Sequence, residues 1–236
     1  MLIFDVDGTL TPSRQEIDKN FKEWFLNNIT QYCLVTGSDK EKTIEQVGQD
    51  IWGNAEYSFN CNGNDVYKKG EHVYSNDWHL PEDAHTWLSQ KLTESKFVLR
   101  TGLHFEHRPG MCNYSIVGRN ATLGERKLYV NFDQKTHERD NIANMFNLQF
   151  LDLNATVGGE TGIDIAPIGC DKSQVINFIL DTDIDKLYFF GDRMDEAGND
   201  YPLAKVIIDK AIGQCYNVKD YKDTWNKLKN YVCKSN

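Results

Sequence analysis

At 236 residues the chain is long enough for one large domain or for a core carrying an inserted one. Its 26 basic and 35 acidic residues leave a net charge of −9 with no Lys/Arg run, which argues against nucleic acid or an acidic membrane as partner. No stretch approaches the roughly 18 apolar residues of a membrane span, and no basic-then-apolar leader precedes the first strand, so a soluble cytoplasmic protein is expected. The six cysteines, Cys33, Cys61, Cys112, Cys170, Cys215 and Cys233, form no CxxC pair and read as reduced structural thiols.

In chain order, the apolar run Met1 to Ile3 leads into Phe4-Asp5-Val6-Asp7-Gly8-Thr9-Leu10-Thr11. This reads as a short buried strand that stops at a turn carrying two aspartates two apart. In a strand that spacing puts both carboxylates on one side, and at its C-terminal end they point into the crevice where open α/β sheets bind ligands. Asp18 to Ile29 has a helical period, with Phe21, Trp24, Phe25 and Ile29 apolar. Tyr32 to Val35 is a second buried strand ending in Thr36-Gly37-Ser38-Asp39, followed by a helix over Lys40 to Gly48. Small hydroxyl residues between a strand and a helix suit phosphate contact, although an ordinary N-cap has the same composition. Glu56 to Cys61 is a candidate third strand before the turn Asn62-Gly63-Asn64, and Val66 to Tyr74 reads as a hairpin around Lys69-Gly70.

From about Asn76 the character changes. His79 to Leu92 reads as a helix. Leu103 to Arg108 alternates, with His104, Glu106 and Arg108 on the hydrophilic face, as in a half-solvated antiparallel strand. Cys112 to Val117 is its expected partner. Thr122-Leu123-Gly124-Glu125 is a capping box, His137 to Phe146 a further helix, and Phe150 to Ala155 and Ile163 to Ala166 two more strands. An α/β pattern then returns: Cys170-Asp171-Lys172-Ser173 before a helix with Val175, Ile176, Phe178, Ile179 and Leu180, the strand Leu187 to Phe190, the turn Gly191 to Asp200, and a last helix over Tyr221 to Tyr231. The expectation is an α/β core from 1–75 and 171–236 and an inserted α+β domain over 76–170.

Two close carboxylates repel unless a cation lies between them, and a hard ion that takes carboxylate and phosphate oxygens together, Mg²⁺, fits that need. One aspartate can then attack phosphorus while its neighbour moves a proton. A bare DxD is more often a plain turn; DxDGT directly after an apolar strand is not. The stretch resembles the first motif of the haloacid dehalogenase (HAD) superfamily, whose members mostly transfer phosphoryl groups through an aspartyl-phosphate. The other strand ends complete the set such a reaction needs. Ser38 or Thr36 offers a hydroxyl to the phosphate, Lys172 a fixed positive charge, and Asp192, with Asn199 or Asp200 nearby, further metal ligation. The inserted domain carries Arg108, Arg119 and Arg126, with Arg14 just beyond the first turn, and Arg suits bidentate phosphate binding.

Along nearly its whole length the chain resembles the eukaryotic-type phosphomannomutases, HAD proteins with a large α+β cap. The matching stretches are FDVDGTLTPSR from Phe4 to Arg14, Asn62-Gly63, FEHRPGMCNYSIVGR from Phe105 to Arg119 with Gly124-Glu125-Arg126, GGETGIDIAPIGCDK from Gly158 to Lys172, and YFFGDRMDEAGND from Tyr188 to Asp200. The resemblance implies a HAD-like Rossmannoid core with a parallel sheet. It makes Asp5 the nucleophile and Asp7 the acid/base, and has Asp192 binding Mg²⁺ together with Asp5 and the Asp7 backbone carbonyl. Ser38 and Lys172 take the second- and third-motif positions. Arg14, Arg108, Arg119 and Arg126 hold the distal phosphate and the sugar, and Asp164 bonds sugar hydroxyls. It also implies a phosphorylated hexose as substrate, a hexose 1,6-bisphosphate activator, a homodimer through the cap, and a role in GDP-mannose synthesis. A closing cap that carries arginines would hold the second phosphate and keep water from the aspartyl-phosphate. Three positions depart from the pattern. Gly162 stands where a serine usually contacts the sugar or its phosphate, Thr36 replaces a glycine, and Arg193 replaces a lysine. The tail after Asp200 diverges, so no second cation site is carried over. The nearest rival reading is a sugar-phosphate phosphatase of the same superfamily. A silent scaffold is a more distant one, since such a protein would be expected to lose Asp5, Asp7, Lys172 or Asp192.

Overall fold

The computed structural model describes residues 1–180, 186–196 and 198–235, the last few by backbone alone. The Cys233 thiol and the Ala197 step of the expected turn lie outside the described residues. The chain divides into two compact units, Met1–Ser75 with Gly169–Asn236, and Asn76–Ile168.

In the first stretch of unit one, β1 (Leu2–Asp5) is buried throughout. Helix α1 (Lys19–Asn28) starts at Asp18, whose carboxylate accepts from the Asn20 and Phe21 N–H groups, and it buries Phe21 and Phe25. Strand β2 (Tyr32–Val35) and helix α2 (Lys40–Val47), capped by Asp39, follow. Gly48, at φ +88°, breaks the helical path, and a second helix not foreseen from the sequence, α3 (Gln49–Asn54), starts behind it. Strands β3 (Tyr57–Asn60), β4 (Asp65–Lys68) and β5 (Glu71–Ser75) complete the stretch. The β4–β5 turn places Lys69 and Gly70 at positive φ, the conformation that a tight hairpin demands.

Unit two holds α4 (Glu82–Glu94), β6 (Phe105–Arg108), β7 (Met111–Tyr114), α5 (Leu123–Thr136), α6 (Glu138–Gln149), β8 (Leu153–Gly158) and β9 (Gly162–Pro167). The strands form an antiparallel sheet in the order β6-β7-β9-β8. The capping box at Thr122 and Glu125 forms as expected. Helix α6 runs further than its apolar period suggested and moves the next strand from 150–155 to Leu153–Gly158. The cause is local packing: Phe150 ends the helix with its ring 4.6 Å from that of Phe146, inside the core of this unit.

The chain returns to unit one through a 3₁₀ turn (Lys172–Val175) and the short α7 (Ile176–Ile179), then β10 (Leu187–Gly191), α8 (Tyr201–Asp209), β11 (Gly213–Asn217) and α9 (Tyr221–Ser235). Helix α8 and strand β11 are additions to the sequence reading; β11 pairs along only one side and lacks an apolar run. The sheet order is β11-β10-β1-β2-β3-β4-β5, parallel from β11 to β3 and antiparallel beyond. Period-two alternation sends Leu2, Phe4 and Leu34 to one core with α1 and α9, and Ile3, Cys33 and Val35 to another with α7 and α8. A parallel sheet packed on both faces is the α/β class expected. Among the described residues no helix is long and apolar enough to cross a membrane. Cys33, Cys112 and Cys215 are free thiols, and burial pushes those of Cys33 and Cys112 up to about 12.

Candidate active site

Three adjacent parallel strands, β10, β1 and β2, end in one region, and each delivers polar residues there. Asp5 is the last residue of β1 and is only 3% exposed. Lys172, from the 3₁₀ turn, is fully buried and donates from Nζ to Asp5 Oδ1 at 2.5 Å and to Asp200 Oδ1 at 2.7 Å. Asp192 follows β10. Oxygens of Asp5, Asp192 and Asp200 lie within 4.8 Å of one another. Glycine at position 8 is required here: φ is +76°, and a Cβ would sit 2.4 Å from Asp192 Oδ2.

Burial pushes the Asp5 carboxyl up to about 8 against the opposing pull of Lys172, with Asp200 and Asp192 adding to the rise. Asp192 is raised by its burial and then by Asp200. Burial works to lower Lys172, but the carboxylates of Asp5 and Asp200 outweigh it and hold the ammonium above its ordinary range. With all three carboxyls ionised, one lysine leaves two negative charges uncompensated. An all-oxygen set with that residual charge fits a hard divalent cation such as Mg²⁺.

Asp7 corrects one expectation. Strand β1 ends at Asp5, so strand alternation does not place Asp7, and its carboxylate is not part of the three-carboxylate group. Instead Asp7 Oδ1 accepts from the Arg14 N–H at 2.6 Å and from Gln46 Nε2 at 2.9 Å. Gln46, buried on α2, has no sequence signal that marks it. The turn geometry places it: Arg14 adopts φ +58° to aim its N–H at Asp7. The Arg14 side chain is exposed. Between the alternatives at the end of β2, Thr36 is buried with its hydroxyl accepting from the Ser38 N–H, whereas Ser38 is half-buried. Asn62, at φ +59°, donates its N–H to Thr36 O, and its buried Oδ1 has no partner among the described residues.

Unit two gathers the other residues in one cross-strand row. The pairing aligns Glu106 with Asn113, Asn113 with Asp164, and Asp164 with Thr156. Glu106 Oε2 pairs with Arg108 Nη2 at 2.6 Å and Arg119 Nη2 at 2.8 Å. Arg119 Nη1 donates to Asn113 Oδ1 at 3.3 Å, and Asn113 Nδ2 donates to Asp164 Oδ1 at 2.6 Å. Arg126 donates to the backbone oxygens of Ala121 and Arg119. At Gly162 a Cβ would stand 2.4 Å from Asn113 Nδ2, so the absent side chain is the space that the Asn113 amide uses. Sequence reasoning missed Asn113, Glu106 as a partner, and Arg139. Arg139 pairs with Asp133 at 2.8 Å and donates to the Gly159 and Gly162 carbonyls, which ties the α5–α6 corner to the β8–β9 turn.

A model of the eukaryotic phosphomannomutase family matches residues 20–234. The chain belongs to this family. It is 31% identical over 235 residues to the phosphomannomutase of Saccharomyces cerevisiae, spanning 95% of this chain and 91% of the relative. It is 33% identical over 214 residues to that of Galdieria sulphuraria, spanning 86% and 84%. Among solved structures, a haloacid dehalogenase-like hydrolase from Bacteroides thetaiotaomicron superposes with a TM-score of 0.61 at 14% identity, covering 98% of each chain. That likeness establishes the HAD-like fold. Phosphomannomutases of this fold are enzymes that work with a divalent metal, and among the described residues Asp5, Asp192 and Asp200 form an acidic cluster able to hold one.

Proposed function

We propose that the chain interconverts mannose 6-phosphate and mannose 1-phosphate through an aspartyl-phosphate on Asp5, with a hexose 1,6-bisphosphate as activator. One observation carries the chemistry: a fully buried Lys172 holds the Asp5 carboxylate at the end of β1, next to two further carboxylates. The lysine orients Asp5 and offsets charge on the transferring group. Mg²⁺, held by Asp5, Asp192 and the Asp7 carbonyl, would supply a Lewis acid for the phosphoryl oxygens.

In the proposed reaction the activator first leaves a phosphoryl group on Asp5. A sugar hydroxyl attacks that phosphorus and gives up its proton to Asp7. The acyl-phosphate P–O bond breaks, and the Asp5 carboxylate is released with its electron pair. The bisphosphorylated sugar then presents its other phosphate, which returns to Asp5 while Asp7 gives the proton back to the departing sugar oxygen. Ser38 contacts the phosphoryl group.

Such a cycle needs a second anion site. Arg108, Arg119 and Arg126 have the chemistry for it, and Asp164 takes sugar hydroxyls. The same reading includes a homodimer and a cytosolic place in GDP-mannose synthesis. The rival, a sugar-phosphate phosphatase, draws support from Gly162, where a serine hydroxyl is missing.

The deciding experiment follows mannose 1-phosphate by ³¹P NMR with Mg²⁺ and a trace of glucose 1,6-bisphosphate. Mannose 6-phosphate without free phosphate is the expected product. Free phosphate alone would mean that water reaches the aspartyl-phosphate and would make the protein a phosphatase.

A further inference from the structure

Glu106 has no role in the scheme above, yet it sits at the centre of the arginine cluster. Its position follows from the strand. Residues 106 and 108 of β6 share a face, so the Glu106 carboxylate meets the Arg108 guanidinium two residues on. Pairing of β6 with β7 sets Glu106 across from Asn113, whose amide oxygen accepts from Arg119, and this brings the second guanidinium to the same carboxylate. One oxygen, Oε2, serves both arginines at 2.6 and 2.8 Å. The three side chains remain between 24% and 35% exposed, so the pairs are open to water and to exchange. Arg119 also keeps a buried Nε with no hydrogen-bond partner among the described residues. Its donor fork is therefore only part-used by protein groups.

We infer that Glu106 is an internal counter-anion of the Arg108–Arg119 pair, which a phosphate of the substrate displaces. The inference rests on the reading that these arginines bind phosphate. A phosphate carries more charge than a carboxylate and offers three acceptor oxygens to the two forks, so it wins the exchange. The glutamate has two consequences. It keeps two like-charged guanidiniums together when no substrate is bound. It also moderates the grip on the sugar phosphate, which matters for a bisphosphate that must let go and turn before its second transfer. Equal tightening of every bound state would lower KM while slowing that release.

The test uses Glu106→Gln, which keeps shape and removes charge, beside Glu106→Asp and Arg119→Ala, with circular dichroism to confirm folding. Steady-state kinetics on mannose 1-phosphate and inhibition by inorganic phosphate are the readouts. For Glu106→Gln, KM and the phosphate inhibition constant should both fall about three- to tenfold, with kcat also falling, because one opposing charge is gone from the anion site. Glu106→Asp, which retains the charge, should stay close to the parent on both constants. A rise in KM, or no change, for a folded Glu106→Gln protein would overturn the inference and leave Glu106 as a plain strut. If Arg119→Ala leaves KM unmoved, the phosphate-binding reading itself fails, and the counter-anion role falls with it.

Discussion

The two charged clusters of this molecule are built in opposite ways. In unit one, Lys172, Asp5 and Asp200 are essentially closed to water, and each hydrogen bond is short. In unit two, Arg108, Arg119 and Glu106 pair at similar distances while a quarter to a third of each side chain stays exposed. Buried charges hold their geometry because leaving one unpaired is expensive; half-exposed ones exchange partners at little cost. The first design suits a reaction centre that must be preorganised. The second suits a binding site that must release what it holds.

The largest effects are expected at the buried cluster. Asp5→Asn should abolish mutase turnover, a loss of at least about a thousandfold, while thermal unfolding shows the fold intact. Retained turnover would remove Asp5 from the nucleophile role. Lys172→Met should cost about 3–5 kcal/mol in denaturant unfolding as well as activity, since it leaves Asp5 and Asp200 buried and unpaired. A stability change under about 1 kcal/mol would mean that those carboxylates take up protons or another cation without penalty.

At the exposed end the effects are smaller. Arg126→Ala should lower kcat/KM for mannose 1-phosphate by about tenfold, or roughly 1.4 kcal/mol, and hydrolysis of a small aryl phosphate much less. An equal loss on both would make Arg126 a brace for the 119–121 backbone, which it already touches. The smallest expected effect is a pH dependence. Burial raises Asp5 to about 8 from 3.8, so between those values the folded state binds more protons than the unfolded one. Without metal, stability from this group therefore falls as pH climbs through that window. Mg²⁺ should offset the loss, so its stabilising shift in melting temperature should grow from pH 5 to pH 8. A shift independent of pH would place the ion away from Asp5.

Much of the fold was legible because its signals are local. Short apolar runs announced β1 and β2, the apolar period from Phe21 to Ile29 and the capping box at Thr122 announced their helices, and Lys69-Gly70 announced a hairpin. Helix α3 was hidden because Gly48 looked like an end and serves as a link. Strand β11 was hidden because an edge strand, half in water, has no need of an apolar run. The Asp7 carboxylate could not be placed by alternation, because periodicity describes a strand and β1 stops at Asp5.

What the sequence by itself determined was the α/β pattern interrupted by an α+β segment, the residue types at the strand ends, and membership of the phosphomannomutase family. Those are properties of neighbours along the chain or of a long matched pattern. Only the tertiary structure decided the partners. Lys172 meets Asp5 across 167 residues because the 3₁₀ turn that carries it and α7 behind it pack on the Ile3 face of the sheet, and Glu106 meets Arg119 because Asn113 stands across from it in the neighbouring strand. No local period encodes such pairs. They depend on which strand lies beside which, and that is settled by burying both faces of a sheet at once.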